Sequence, residues 1–230
     1  MPMIPYKEIW NNIVLIQTFN VGFNVKKDKS HIDLTLDDIL QIKDEFSFDT
    51  IEYAQNIDDL IINFSEYVDY TFRYKEDSSI TRNWYSDSIP KPLYKILNDL
   101  LGIRFIFKSN REELQKIRET FIHTCPLGPD KCRIADLERD GYQGLHLYIR
   151  LKNNSFPVEI QFWTRTDALL NQYLRDSIYT RFNEPDVLNY ATNLRTWLEQ
   201  LPTVPLNQPI KLYVDYLYEK AFQANCVEAD

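Results

Sequence analysis

The chain has 230 residues, is 44% hydrophobic and 14% aromatic, and carries only five glycines and eleven prolines, which excludes a disordered or low-complexity protein and allows one large domain, or one domain with an extension. Its net charge of −8 at pH 7 excludes a surface that binds polyanions as a whole and leaves room for a local basic pocket. Three cysteines, Cys125, Cys132 and Cys226, are too few for a disulfide framework and read as reduced thiols of a cytoplasmic protein. His123 lies near Cys125 and Cys132, but the spacing lacks a CxxC pair and a fourth ligand, so zinc is not expected there. The run Ile13-Val14-Leu15-Ile16 is too short for a signal sequence or a membrane span.

Residues 1–30 show no settled period. Residues 35–45 read as a short helix, with Thr35 three residues before Asp38 as its cap. A longer helix is predicted over 51–70, where Ile57, Leu60, Ile61, Phe64 and Val68 recur at helical spacing. The polar stretch 73–88 reads as a loop or broken helix. Pro90 and Pro92 suit the start of a helix running toward Asn98. Residues 100–107 (LLGIRFIF) are dense in apolar and aromatic side chains and read as a strand. Residues 109–124 read as a helix with a Ser109/Glu112 capping box and a Leu114, Ile117, Phe121 stripe.

Short strand character over 131–137 is followed by a turn at Gly141 and a strand over 145–151. There Leu145, Leu147, Ile149 and Leu151 alternate with His146, Tyr148 and Arg150. A further strand, 156–163 (FPVEIQFW), places Glu159 and Gln161 on one face, with Asn153-Asn154-Ser155 as the hairpin turn before it. Helices are predicted over 164–181, 186–200 and 211–222, with Pro202, Pro205 and Pro209 marking a linker. The pattern predicts an α+β fold, a mixed, mostly antiparallel sheet covered by helices. Its parts are an extension over 1–50, a central domain over 51–183 and a helical extension over 184–230.

Several charged residues sit in or beside the apolar runs, where they are costly unless paired or bound to a ligand. They are Arg73, Lys75, Asp99, Arg104, His146, Glu159 and Gln161, with Tyr142 beside a turn. Two carboxylates opposite fixed cations suit magnesium and the phosphates of a nucleotide. Each residue also has a plainer reading. Arg73 and Lys75 suit a solvated helix end, Arg104 a structural pair with Asp99, Tyr142 turn packing and His146 an ordinary sheet histidine. Glu159, in mid-strand, is the hardest to explain without a function.

Four segments in this order resemble the RelA/SpoT-type alarmone synthetase domain, over roughly 40% of the chain. They are Arg73-Tyr74-Lys75-Glu76-Asp77-Ser78-Ser79-Ile80, Asp99-Leu100-Leu101-Gly102-Ile103-Arg104, Gly141-Tyr142-Gln143-Gly144-Leu145-His146 and Val158-Glu159-Ile160-Gln161. The resemblance implies a nucleotidyltransferase-like synthetase fold and transfer of the β,γ-pyrophosphate of ATP to the 3′-hydroxyl of GDP or GTP. It implies that Arg73 and Arg104 sandwich adenine and that Lys75 and Ser79 hold phosphates. Asp99 and Glu159 would bind Mg2+, with Glu159 also placed to take the hydroxyl proton. Tyr142 would stack on the acceptor base, supported by His146 and Gln161.

The chain departs from the family at defined points. Asn83 stands where a phosphate-binding Lys is usual, with Arg82 beside it as a substitute. Gly144 replaces a Ser, and the stretch before Tyr142 is mostly acidic, leaving Lys131, Arg133 and Arg139 as acceptor-side cations. Trp163 replaces the Arg of a Gln-x-Arg-Thr segment. These changes keep two alternatives open. One is a toxin that pyrophosphorylates the 3′ end of tRNA or makes adenosine alarmones, with an antitoxin as partner. The other is a non-catalytic nucleotide sensor or binding module. A paired His-Asp pattern of a hydrolase half is not seen, so synthesis without hydrolysis is expected. No membrane association is expected, and the sequence leaves the oligomeric state open.

Overall fold

Five strands form one sheet in the order β1-β2-β5-β4-β3: β1 (Val68–Tyr74), β2 (Leu101–Phe107), β3 (Cys132–Arg139), β4 (Tyr142–Ile149) and β5 (Val158–Thr164). This computed structural model describes residues 5–16, 34–65, 68–85, 93–107, 111–125, 127–128, 131–179, 185–200 and 215–220. The helices among them are α1 (Tyr6–Ile16), α2 (Leu36–Glu45), α3 (Ser47–Ile61), α4 (Asp77–Tyr85), α5 (Leu93–Ile96), α6 (Arg111–Thr124), α7 (Arg165–Tyr173) and α8 (Pro185–Glu199), with 215–220 also helical. The fold is α+β, as the sequence predicts.

The register follows from paired residues. The Lys75 N–H bonds to the Leu100 carbonyl and Gly102 lies beside Arg73, so β1 and β2 run antiparallel. Gly102 also lies beside Glu159, and Arg104 meets Gln161. Both partners advance by two, which makes β2 and β5 parallel. β4 joins β5 through eight residues and β3 joins β4 through two, connections too short for anything but antiparallel neighbours. The β3–β4 turn is Asp140-Gly141, with φ of 51° and 84°. Asp-Gly with both φ positive is what a two-residue hairpin demands.

The chain divides into two compact units. The first comprises 1–105, 119–135 and 146–161, the second 106–118, 136–145 and 162–230. In the first, Ile39 of α2 packs with Ile80 of α4 and with Leu93, Ile96, Leu97 and Leu100. Trp10 of α1 lies against Phe121 of α6, ring centroids 4.5 Å apart. In the second, Leu170, Leu174 and Ile178 pack with Ala191 and Leu198 of α8, and Ile106, Trp163, Ala168 and Tyr218 form a further cluster.

Local signals explain several boundaries. Thr35 caps α2 and Asp38 returns the bond in a capping box. Thr164 and Asp167 do the same for α7, whose chain continues as a π-helical turn over Leu174–Tyr179. Three expectations need correction. Residues 1–30, read as unsettled, contain α1, whose Ile9, Trp10 and Ile13 are buried. The helix expected over 51–70 ends at Ile61, and Val68 opens β1. Phe64 and Val68 mimic helical spacing, but Val-Asp-Tyr-Thr-Phe-Arg-Tyr is rich in β-branched and aromatic residues that favour a strand. The expected loop over 73–88 holds the end of β1 and all of α4. Ser109, Pro90, Pro92 and the 201–214 linker lie outside the described residues.

Candidate functional site

The first unit gathers charge around Asp99. β1 delivers Arg73 and the residue after its end, Lys75, and both converge on the turn before β2. Arg73 Nη2 donates to Asp99 Oδ2 at 2.6 Å, and Lys75 Nζ donates to Asp99 Oδ1. Lys75 is only 3% exposed and Asp99 8%, so neither charge has water to fall back on. Removing one partner of such a pair is far more costly than forming it is rewarding.

A second polar group builds on β5. Glu159, 3% exposed, accepts from Gln161 Nε2 at Oε2 (2.6 Å) and meets His146 Nδ1 at Oε1 (2.7 Å). Gln161 in turn accepts from Arg104 Nε at 2.9 Å. Burial alone would raise the Glu159 pKa. The hydrogen bond and charge of His146, the Tyr148 hydroxyl and the Arg73 charge outweigh it and hold the carboxyl at about 2. Gly102 joins the two groups: a Cβ placed there would lie 3.6 Å from Arg73 Cβ and 3.7 Å from Glu159 Oε2. Gly102, three residues after Asp99, therefore lies between Arg73 and Glu159 with ordinary contact distances to both.

Asp99 and Glu159 are the carboxylates of the first unit open to the question of a magnesium ion. Both carboxylates are oxygen donors of the right chemistry, and Glu159 is held ionised. Among the described residues no three His, Cys, Asp or Glu side chains group to hold a metal ion. Asp99 and Glu159 are the two carboxylates that a magnesium ion completed by water and phosphate oxygens would use.

The remaining expected site residues are placed differently. Ser79 is half-buried on α4 and Arg82 is exposed there. Arg73 and Lys75 belong to a strand and its exit rather than to a solvated helix end, and Arg104 meets Gln161. Tyr142 is in the second unit, its ring edge-on to Trp163 at 6.2 Å. Arg139 is exposed, its Nε 2.8 Å from Asp140 Oδ2.

The sequence reading missed two buried cations. Lys43 of α2 meets Asp77 Oδ1 at 2.5 Å and lies over the Tyr74 ring at 4.9 Å. It ties α2 to the entrance of α4. Its position four residues after Ile39, on the apolar side of α2, was the available signal. Arg195 of α8 is buried in the second unit with Asp167 and Asn171. It falls in the helical stripe Ala191, Arg195, Leu198, where a charge calls for partners.

No family model matches the chain, and no curated protein matches it. Among solved structures it is similar to small alarmone synthetase 1 from Bacillus subtilis, at 16% identity and TM-score 0.46, covering 81% of this chain and 100% of that one. It is also similar to small alarmone synthetase 2 from the same organism, at 16% identity and TM-score 0.45, over 82% and 96% of the two chains. A GTP pyrophosphokinase family protein from Streptococcus pneumoniae is similar at 16% identity and TM-score 0.44, over 72% and 87%.

Proposed function

We propose that this chain is an alarmone synthetase that moves the β,γ-pyrophosphate of ATP onto the 3′-hydroxyl of GDP or GTP. The observation that carries the proposal is the polar cluster of the first unit, in which Lys75, Asp99, His146, Glu159 and Gln161 are buried. Arg73, Lys75, Asp99, Arg104, His146, Glu159 and Gln161 come from segments spread over almost ninety positions, and they form two bonded groups that meet at Gly102. Charges concentrated inside a fold at such cost mark a functional site.

On this reading Arg73 and Arg104 flank adenine, and Lys75, Ser79 and Arg82 face the phosphates. Asp99 and Glu159 hold Mg2+, which when bound would neutralise phosphate charge. Arg73 and Lys75 now bind Asp99, so nucleotide entry is an exchange of partners in which Arg73 turns to adenine and Lys75 to phosphate. The O3′–Pβ bond forms as the bond from Pβ to the bridging oxygen breaks, and AMP leaves with that oxygen. Positioning and charge stabilisation carry most of such a reaction. A carboxyl held at about 2 is a standing negative charge and a weak base. The hydroxyl proton therefore passes to the Glu159–His146 pair only as the new bond acidifies it. Tyr142 stacks on the acceptor base, with Arg139 near the same turn.

A second reading changes only the acceptor. Arg139 pairs with Asp140 at 2.8 Å, and Gly144 removes a hydroxyl from the acceptor segment, so tRNA or an adenine nucleotide remains a competing substrate. The test is transfer from γ-labelled ATP with magnesium to GDP, GTP, ATP and deacylated tRNA, offered separately, with Glu159→Gln as control. Label on GDP or GTP that is lost in the variant supports the proposal. Label only on tRNA or ATP supports the second reading. ATP binding without transfer leaves a nucleotide sensor.

A further inference from the structure

We propose that Arg195 is a positioning residue that fixes the Asp140-Gly141 turn and, through it, Tyr142 in the form that receives the acceptor. The inference rests on the acceptor role given to Tyr142 above. The residues on either side of Tyr142 are held by their main chains. Arg195 Nε donates to the Gly141 carbonyl. Asn171 Nδ2 donates to the Gln143 carbonyl at 2.6 Å, and the Gln143 N–H returns a bond to Asn171 Oδ1 at 3.3 Å. Arg195 also fixes the second clamp, because its Nη2 donates to Asn171 Oδ1 at 3.0 Å.

Arg195 is itself anchored. Its Nη1 donates to Asp167 Oδ1 at 2.9 Å, with Glu199 Oε1 at 3.3 Å and Gln143 Oε1 at 3.5 Å. Asp167 Oδ2 is pinned by the Thr164 N–H and hydroxyl, both at 2.9 Å, and by Arg111 Nη1 at 3.2 Å. One planar guanidinium thus links a carboxylate, an amide and a turn carbonyl, which an ammonium cannot do in the same geometry. The turn seats closely on α8: a Cβ at Gly141 would lie 2.6 Å from the Ala191 carbonyl oxygen. A pair needed only to hold α8 against α7 would require Arg195 and Asp167. The bonds to Gly141 and Asn171 are spent on the segment that carries Tyr142.

The test compares wild type, Arg195→Met and Arg195→Lys in the full chain. Amide hydrogen exchange is read over 140–144 and over β5. Steady-state kinetics use GDP, GTP, ATP and deacylated tRNA as acceptors. In Arg195→Met the 140–144 amides should exchange at least about tenfold faster while β5 keeps its rates. The KM of the acceptor that wild type uses should rise about tenfold or more, with the KM for ATP as donor unchanged. Arg195→Lys should fall between, and it carries the same test if Arg195→Met fails to fold. Unchanged exchange at the turn, or an equal change in both KM values, overturns the inference. If wild type transfers to no acceptor, the proposed function falls. The exchange rates still decide whether Arg195 holds the turn.

Discussion

Gln161 donates to Glu159 from two positions further along the same strand, with Nε2 and Oε2 2.6 Å apart, and accepts Arg104 Nε on its carbonyl side. The amide is therefore fixed in orientation and relays a cation on β2 to a carboxylate on β5. Gln161→Met keeps the volume and removes both bonds. It should cost about 1–3 kcal/mol in stability, the penalty of stranding buried polar partners. Transfer should fall at least about tenfold as Glu159 loses its fixed geometry. Urea midpoints and labelled transfer measure both, and a variant within ~0.5 kcal/mol of wild type would contradict the relay.

Asp99 receives two cations, one of them almost fully buried. Asp99→Ala strands Lys75 and should destabilise by about 3–5 kcal/mol. The double variant Asp99→Ala/Lys75→Met should recover a large part of that loss, since the stranded charge is gone. Equal stabilities for the single and double variants would show that the pair does not act as a unit.

Glu159 links stability to acid. Its carboxyl is lowered from 4.5 to about 2, so folding favours the ionised form. The stability it contributes is complete above pH ~4.5 and is lost as pH falls through 2. Between pH 5 and 2 wild type should lose on the order of 3 kcal/mol more than Glu159→Gln. Denaturant titrations at a series of pH values check this, and parallel curves for the two proteins would refute it.

Cys125 gains acidity from its neighbour. The hydrogen bond from Cys132 lowers the Cys125 thiol from 9.0 to about 7, against the opposing effect of burial and helped by the Leu127 N–H. The Cys132 thiol, as donor, is raised. Iodoacetamide should label Cys125 with a rate midpoint near pH 7. Cys132→Ala should move that midpoint upward, while Cys132→Ser, which keeps a donor, should move it less. A midpoint unaffected by Cys132→Ala would exclude the thiol pair as its cause.

Two glycines make opposite predictions. At Gly141, with φ +84°, an added Cβ would collide with Ala191, so Gly141→Ala should destabilise by roughly 2 kcal/mol or more. At Gly102 the nearest atoms are 3.6 Å away, an ordinary contact, so Gly102→Ala should stay within about 1 kcal/mol. Thermal and denaturant unfolding of both variants decide the contrast.

The parts of the fold legible in the sequence are those where one element's side-chain pattern is decisive. LLGIRFIF and FPVEIQFW reveal β2 and β5 through apolar density, and Thr35 reveals the start of α2 through its own hydrogen bonds. β1 was hidden because Phe64 and Val68 fall four apart across a helix end. Pairing was not legible. Gln161 as the partner of Arg104, and Lys43 and Arg195 as buried cations, depend on residues 28 to 57 positions away, and periodicity reports faces without partners. The Asp140-Gly141 dipeptide is the exception, since it specifies a hairpin by itself.

Among the described strands β5 is made last, and it sits between β2 and β4 in the sheet. On a ribosome, β1 with β2 and β3 with β4 emerge as two separate ribbons. They have no edge in common until the strand bearing Glu159 follows them out of the tunnel. Both ribbons must wait with open edges, which is where nascent β proteins are exposed to mispairing. The carboxylate that completes the charged cluster arrives in the same segment that closes the sheet. Closure of the sheet and completion of the charged cluster therefore fall in one segment, and a peptide stalled before residue 158 holds Asp99 and its two cations without Glu159.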